Sequence, residues 1–192
     1  MTSSPDAPAP TSPDAPDAPD ALARLRALIT AVPDFPKPGI LFRDITPLLS
    51  SPEGFAEAIA LLKGRCAHLG ATHVVGAESR GFIFGVPLAQ ALGLPFLPAR
   101  KPNKLPRATR RACYSLEYGE DCLELHAEDL PAGARVLFVD DLLATGGTAE
   151  ACARMIEEAG AEVSACLFLI ELEGLGGRAR LAPRPCVSLL TY

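Results

Sequence analysis

The chain is expected to fold as an α/β domain, a mostly parallel twisted sheet with helices on both faces. Three observations predict this class. Short apolar runs alternate with segments whose apolar residues recur at helical spacing, and strands joined by helical crossovers lie parallel. The 192 residues suffice for one domain with a full core and are few for two. Apolar residues make up 48% of the chain and charged residues 21%, the usage of an ordinary globular protein.

Residues 1–20 repeat Pro-Asp-Ala, have almost nothing to bury, and are expected to stay disordered; the folded domain then covers 21–192. Asp20 is a plausible N-cap for a first helix, because Leu22, Leu25, Leu28 and Ile29 recur at helical spacing before Pro33 stops the run. After a proline-rich loop at 35–39, Ser51 and Pro52 form a cap and first-turn pair. Phe55, Ile59, Leu62 and Cys66 then share one helical face. A strand is predicted at 73–77, a helix at 83–91, and a strand at 94–97 that ends at Pro98. A long loop without apolar patterning follows. The run Val136 to Val139 reads as a buried strand that stops at two aspartates. In the helix after it, Cys152, Met155, Ile156 and Ala159 sit at i, i+3, i+4 and i+7, and Gly160 ends it. Strands at 162–172 and 186–192 complete the pattern.

No apolar stretch approaches the roughly 20 residues needed to cross a bilayer, so no membrane association is expected. The N-terminus lacks the basic start and apolar centre of a secretory signal. Six cysteines are scattered without a CxxC pair, which suggests neither a zinc site nor a disulfide framework and fits a reduced, cytoplasmic setting.

The chemistry concentrates in 139–148, VDDLLATGGT. A buried strand delivers Asp140 and Asp141 to a turn that opens into a helix. Gly146 and Gly147 let a ligand approach the main chain, where helix-start amides attract phosphate, while Thr145 and Thr148 add hydroxyl donors beside Ala144. Carboxylates beside a phosphate site repel it unless the ligand also offers donors, as the hydroxyls of a ribose do. The loop is therefore shaped for a ribose 5-phosphate. It lacks the lysine of a Walker-type loop. Between Ser79 and Leu116 there is no acid, yet Arg80, Arg100, Lys101, Lys104, Arg107, Arg110 and Arg111 carry seven positive charges in a chain of net charge −5. Such a patch suits a compact polyanion; RNA is the runner-up, although no aromatic RNA-binding pattern accompanies the charges.

The 139–148 segment resembles the phosphoribosyl-diphosphate-binding motif of the type I phosphoribosyltransferases. FPKPGILFRDITPLL at 35–49, ESRGFIFG at 78–85, RKPNKLP at 100–106, LEYG at 116–119 and LIELEGLGGRARL at 169–181 are similar to the adenine-specific branch, so the likeness runs from about Leu22 to Tyr192. The resemblance implies a small N-terminal hood, a flexible basic loop and a homodimer, with magnesium (Mg2+) bound through the substrate diphosphate rather than by protein ligands. It implies transfer from 5-phosphoribosyl 1-diphosphate to adenine, giving AMP and diphosphate. It assigns Arg80, Arg100, Lys101 and Lys104 to the diphosphate, Arg100 across a dimer interface, and Leu41, Phe42 and Arg43 to adenine. From the residues alone Phe42 reads equally as core or as a stacking surface. Asp140 and Asp141 steady the ribose, Glu117 handles a proton at the purine and Tyr118 closes the loop. Arg107, Arg110 and Arg111 are left out of the site, and Asp44 is read as a turn residue. The alternatives are an enzyme for another base and a sensor of phosphoribosyl diphosphate that binds RNA; no nucleic acid partner is expected.

Overall fold

The computed structural model describes residues 18–115 and 120–192. Its helices are α1 (Ala18–Ala27), α2 (Thr46–Leu49), α3 (Pro52–Cys66), α4 (Arg80–Leu92), α5 (Gly147–Glu158) and α6 (Gly177–Leu181). Its strands are β1 (Thr30–Pro33), β2 (Leu41–Asp44), β3 (His73–Ala77), β4 (Phe96–Ala99), β5 (Thr109–Ser115), β6 (Glu120–His126), β7 (Arg135–Leu143), β8 (Glu162–Glu171) and β9 (Cys186–Thr191). Five strands form a parallel sheet in the order β4-β3-β7-β8-β9. Helices cover both of its faces, as expected. On one face Val75, Phe138 and Phe168 pack with Met155 and Ile156 of α5 and with Leu123 and Leu125 of β6. On the other, Val74, Leu137 and Leu167 pack with Leu25 of α1, Leu62 of α3 and Phe84 and Leu88 of α4. Neighbours such as Val74 and Val75 therefore bury opposite faces, which is why these strands read as unbroken apolar runs.

Several expectations shift for physical reasons. Helix α1 starts at Ala18, so Asp20 sits in its first turn, where a carboxylate opposes the positive end of the helix, instead of capping it. The helix stops at Ala27. Thr30–Pro33 extends instead and pairs antiparallel with Leu41–Asp44, making a two-stranded hood over the sheet's end. Ser51 does cap α3, accepting from the Gly54 amide at 3.1 Å, with Pro52 in the first turn. Strand β4 runs two residues past the expected end and includes Pro98; a missing N–H is tolerated because β4 is the sheet's edge.

The stretch expected to be a long loop contains an antiparallel hairpin, β5–β6. Its signal was a faint alternation: Ala112 and Tyr114 on one strand, Leu123 and Leu125 on the other, are buried among charged neighbours, of which Glu124 is itself buried against Arg111. The hairpin also corrects the reading of the cysteines. Cys113 and Cys122 are directly opposed in register and joined by a disulfide, with Cα atoms 4.0 Å apart. They stand nine positions apart in sequence, so only the pairing of the strands brings the sulfurs together.

Candidate active site at the end of the central strand

Strand β7 does not stop at the aspartates. Its pairing with β3 ends at Val139, opposite Gly76, but its pairing with β8 continues to Leu143, opposite Glu171. Asp140 and Asp141 thus project where one neighbouring strand has ended and the other still supports the backbone. The chain leaves β3 toward β4 and leaves β7 toward β8, in opposite directions, and a crevice opens at such a switch point. The sequence placed the acids correctly but mistook a one-sided strand for a turn.

Beyond Leu143 the chain enters α5 through Gly146, whose φ of +78° favours glycine. Space demands it too: a Cβ there would sit 2.9 Å from the Gly177 carbonyl oxygen, and one on Gly177 only 2.3 Å from that of Ala144. The loop and the start of α6 are therefore interlocked. Glu150 N–H donates to the Gly146 carbonyl at 2.9 Å, so the amides of 147–149 precede the helical ladder and lack intrahelical acceptors. Arg80, Asp140, Asp141 and the loop up to Ala149 line a pocket of about 200 Å³, which brings together Ala144, Thr145, Gly146, Gly147 and Thr148 as the sequence predicted.

Helix α4 begins against the same strand end. A Cβ on Gly81 would lie 2.7 Å from the Val139 carbonyl, so this contact too requires glycine. The approach sets Arg80 Nε 2.8 Å from Asp141 Oδ2. Burial, together with the adjacent Asp141 carboxylate, raises Asp140 well above the ordinary aspartate range. Burial raises Asp141 as well, while the Arg80 guanidinium counteracts it. The pair is braced internally, since Asp140 Oδ1 accepts from the Asp141 amide at 2.9 Å.

A second pocket, of about 130 Å³, adjoins the first and shares Arg80, Asp141 and Leu142 with it. Its other walls are apolar: Ile40, Leu41, Phe42 and Ile45 from the hood, Ile170 and Leu172 from the end of β8, with Arg43 among them. Phe42 is a wall of this pocket and also packs edge-on against Phe35, with ring centroids 5.1 Å apart. Arg43 reaches the Tyr192 ring at 4.0 Å. Asp44 accepts from the Thr46 amide and hydroxyl at 2.9 and 2.6 Å, the turn role expected of it.

A third pocket, of about 330 Å³, is lined by Glu78, Ser79, Arg80, Lys101, Tyr114, Asp140, Asp141 and Thr148. Of the four predicted diphosphate ligands it holds two. Arg100 turns instead to Glu78, with Nε and Nη2 at 3.3 and 3.2 Å from its carboxylate, and holds that carboxyl below the ordinary range. Lys104 is exposed, and its carbonyl accepts from Arg100. The acid-free stretch is in fact largely neutralised by acids from outside it: Lys101 pairs with Asp121, Arg107 with Asp129 and Arg111 with the buried Glu124. This weakens the case for an RNA-binding patch and leaves Arg107 and Arg111 off the pocket walls. Tyr114 was missed because it lies in the hairpin that was read as loop. Glu117 and Tyr118 lie outside the described residues.

Comparison with known proteins agrees with this geometry. The family model for the phosphoribosyl transferase domain matches residues 45–183. An adenine phosphoribosyltransferase of Synechococcus sp. (strain JA-3-3Ab) is 59% identical over 160 residues, covering 83% of this chain and 91% of that protein. The crystal structure of adenine phosphoribosyltransferase from Rhodothermus marinus DSM 4252 superposes with a TM-score of 0.85 at 50% identity, covering 91% of this chain and 99% of the other. That of the Saccharomyces cerevisiae enzyme, complexed with an iminoaltritol bisphosphate and adenine, has a TM-score of 0.85 at 38% identity and covers 90% and 99%. A crevice at the switch point, a glycine-interlocked loop under it and relatives matched over nearly their whole length lead to one assignment: the chain belongs to the phosphoribosyl transferase family, in its adenine phosphoribosyltransferase branch.

Proposed function

We infer that the three adjoining pockets at the end of β7 carry the reaction of this branch, transfer of the phosphoribosyl group of 5-phosphoribosyl 1-diphosphate to N9 of adenine with release of diphosphate and formation of AMP. The observation that carries the reading is the shared wall. Arg80, Asp141 and Leu142 separate a polar pocket built on helix-start amides from an apolar one of the size and character of a purine base. A sugar held across that wall has its C1 facing the base.

Each group then has a physical task. The amides of 147–149 and the hydroxyls of Thr145 and Thr148 hold the 5-phosphate through hydrogen bonds that water cannot match once the pocket is filled. Asp140 and Asp141 accept from the ribose hydroxyls and favour the positive charge that spreads over the ring as the bond to diphosphate lengthens. Arg80 and Lys101 line the side on which the negative leaving group departs. Arg100 and Lys104 join them when the basic segment closes, Arg100 by exchanging Glu78 for a ligand on its own or a partner subunit. Leu41, Phe42 and Arg43 seat the adenine. Glu117 handles the purine proton and Tyr118 covers the site.

Mg2+ would be carried by the substrate's own diphosphate oxygens, beside a pocket that Asp140 and Asp141 line. When bound, that ion neutralises charge on the leaving group. The reading includes a homodimer and a cytoplasmic setting.

The test is turnover. Purified protein given adenine, 5-phosphoribosyl 1-diphosphate and Mg2+ is expected to release AMP and diphosphate in equal amounts. Tight binding of phosphoribosyl diphosphate without product would point to a sensor instead. Sedimentation at working concentration tests the dimer.

A further inference from the structure

The Cys113–Cys122 bridge lies one residue from Tyr114, which lines the active-site pocket. The next register pair in the hairpin is Tyr114 opposite Asp121. Tyr114 Oη donates to Asp121 Oδ2 at 3.1 Å and accepts from Thr148 Oγ1 at 3.0 Å. Asp121 in turn pairs with the Lys101 ammonium. The Tyr114 ring is buried, and its Cδ2 lies 3.0 Å from where a Cβ on Gly147 would be. On the far side of the bridge the Cys113 carbonyl accepts from Arg154 of α5 at 2.9 Å. The hairpin is thus the element that holds a pocket lysine and a hydroxyl of the phosphate loop in one hydrogen-bonded chain, and the disulfide staples it at that point.

The bridge shares its partial exposure with one free thiol, Cys186, which burial pushes up. Cys66, Cys152 and Cys166 are buried, and burial pushes their thiols up, Cys66 to about 11 and Cys166 to about 12, which leaves them inert near neutrality. Cys113 and Cys122 are only partly buried.

We propose that Cys113–Cys122 is a thiol–disulfide exchange site for a small dithiol, and that its state sets how well the Tyr114–Asp121 pair presents Lys101 and Thr148 to the diphosphate substrate. A reductant thiolate attacks one sulfur, the S–S bond breaks, and its electron pair leaves on the other cysteine, which takes up a proton. The second reductant thiol displaces the first cysteine from the mixed disulfide. Two protein thiols form and the dithiol closes to its own disulfide. Without the staple the two strands are joined there by backbone pairing and the Tyr114–Asp121 hydrogen bond, and the chain from Lys101 to Thr148 loses part of its pre-ordering.

The inference rests on the phosphoribosyl-diphosphate reading of the pocket. Its test uses the full chain, reduced with dithiothreitol or oxidised with the cyclic disulfide of that reagent. Thiols counted after denaturation should number six when reduced and four when oxidised, since two of the six cysteines form the bridge. The expected effect of reduction is a KM for phosphoribosyl diphosphate raised about threefold to tenfold with the KM for adenine unchanged, the loss of a preorganised contact. Cys113→Ser should hold the higher value under both conditions. Tyr114→Phe should keep the four-thiol count yet lose the redox difference. Six thiols after oxidation, or equal KM values in the two states of an active enzyme, would overturn the proposal. Absence of turnover in both states would strike the proposed function itself.

Discussion

The phosphate loop and the β5–β6 hairpin face the same pocket, yet they are held in different ways. The loop is fixed by backbone. Its strand is paired with β8 up to Leu143, Gly146 and Gly177 interlock, and α4 presses on Val139 through Gly81. The hairpin side is held by side-chain charge pairs, Lys101 with Asp121, Arg100 with Glu78 and Arg111 with Glu124, most of them with a partner in solvent. Backbone packing gives geometry that needs no reorganisation during reaction, which suits the half proposed to bind the ribose phosphate. Exposed ion pairs are worth little individually and can be exchanged for substrate oxygens, which suits the half proposed to close on the diphosphate.

Breaking the rigid side should cost most. Asp140→Asn is expected to lower kcat/KM by about 10²–10³, the effect of removing a group aimed at transition-state charge. The same change should raise stability. Burial lifts Asp140 in the folded state above its unfolded value, so its ionised form opposes folding above that unfolded value, about 3.9. Thermal melts should therefore show Tm higher by roughly 2–4 °C at neutral pH, about 1 kcal/mol in a domain of this size, with the difference vanishing below the unfolded pKa. Equal Tm values at pH 7 would show that the carboxylate is not strained by its site.

Gly146→Val is next. It imposes both a forbidden φ and a clash with Gly177, and should reduce activity about tenfold to a hundredfold while the KM for phosphoribosyl diphosphate rises. Phe42→Ala sharpens the contrast by leaving the phosphate loop intact. It should raise the KM for adenine about tenfold, the scale of one lost aromatic wall, and leave that for phosphoribosyl diphosphate within twofold.

Glu171 ties the interlocking loop to the sheet. Its carboxylate receives Arg178 and the Ser188 hydroxyl, the latter at 2.8 Å, and the Arg178 pairing holds it below the ordinary glutamate range. A depressed carboxylate stabilises the fold above its unfolded value of about 4.3 and loses that contribution as pH falls through the folded value. Glu171→Gln should cost about 1–2 kcal/mol in urea melts at pH 7, discounted for the half-exposed Arg178, and almost nothing in strong acid. At the small end, Arg107→Ala breaks only a surface pair with Asp129 and should change stability by less than about 1 kcal/mol and turnover by less than about twofold.

The same division explains what was legible in the sequence. Strands buried on both faces, such as His73–Ala77 and the first half of Arg135–Leu143, announce themselves as apolar runs, and the glycines and acids of 140–148 signal a site because few other uses require that set. The continuation of β7 through Asp140 and Asp141 was hidden, since polar residues in a strand look like a turn until the partner strand is known. The hairpin was hidden by its charged outward faces. Its ion pairs and its disulfide depend on residues 20 or so positions apart, or on strand register, neither of which a linear reading contains.

The shared wall between a phosphate pocket and an apolar pocket is the centre of the account, and a four-base competition tests it most directly. The protein is given equal concentrations of adenine, hypoxanthine, guanine and uracil with 5-phosphoribosyl 1-diphosphate and Mg2+, and the products are separated by chromatography. AMP should form first and dominate. A mixture in which the hypoxanthine or guanine nucleotide leads would contradict the assignment of the pocket at Leu41, Phe42 and Arg43 to adenine.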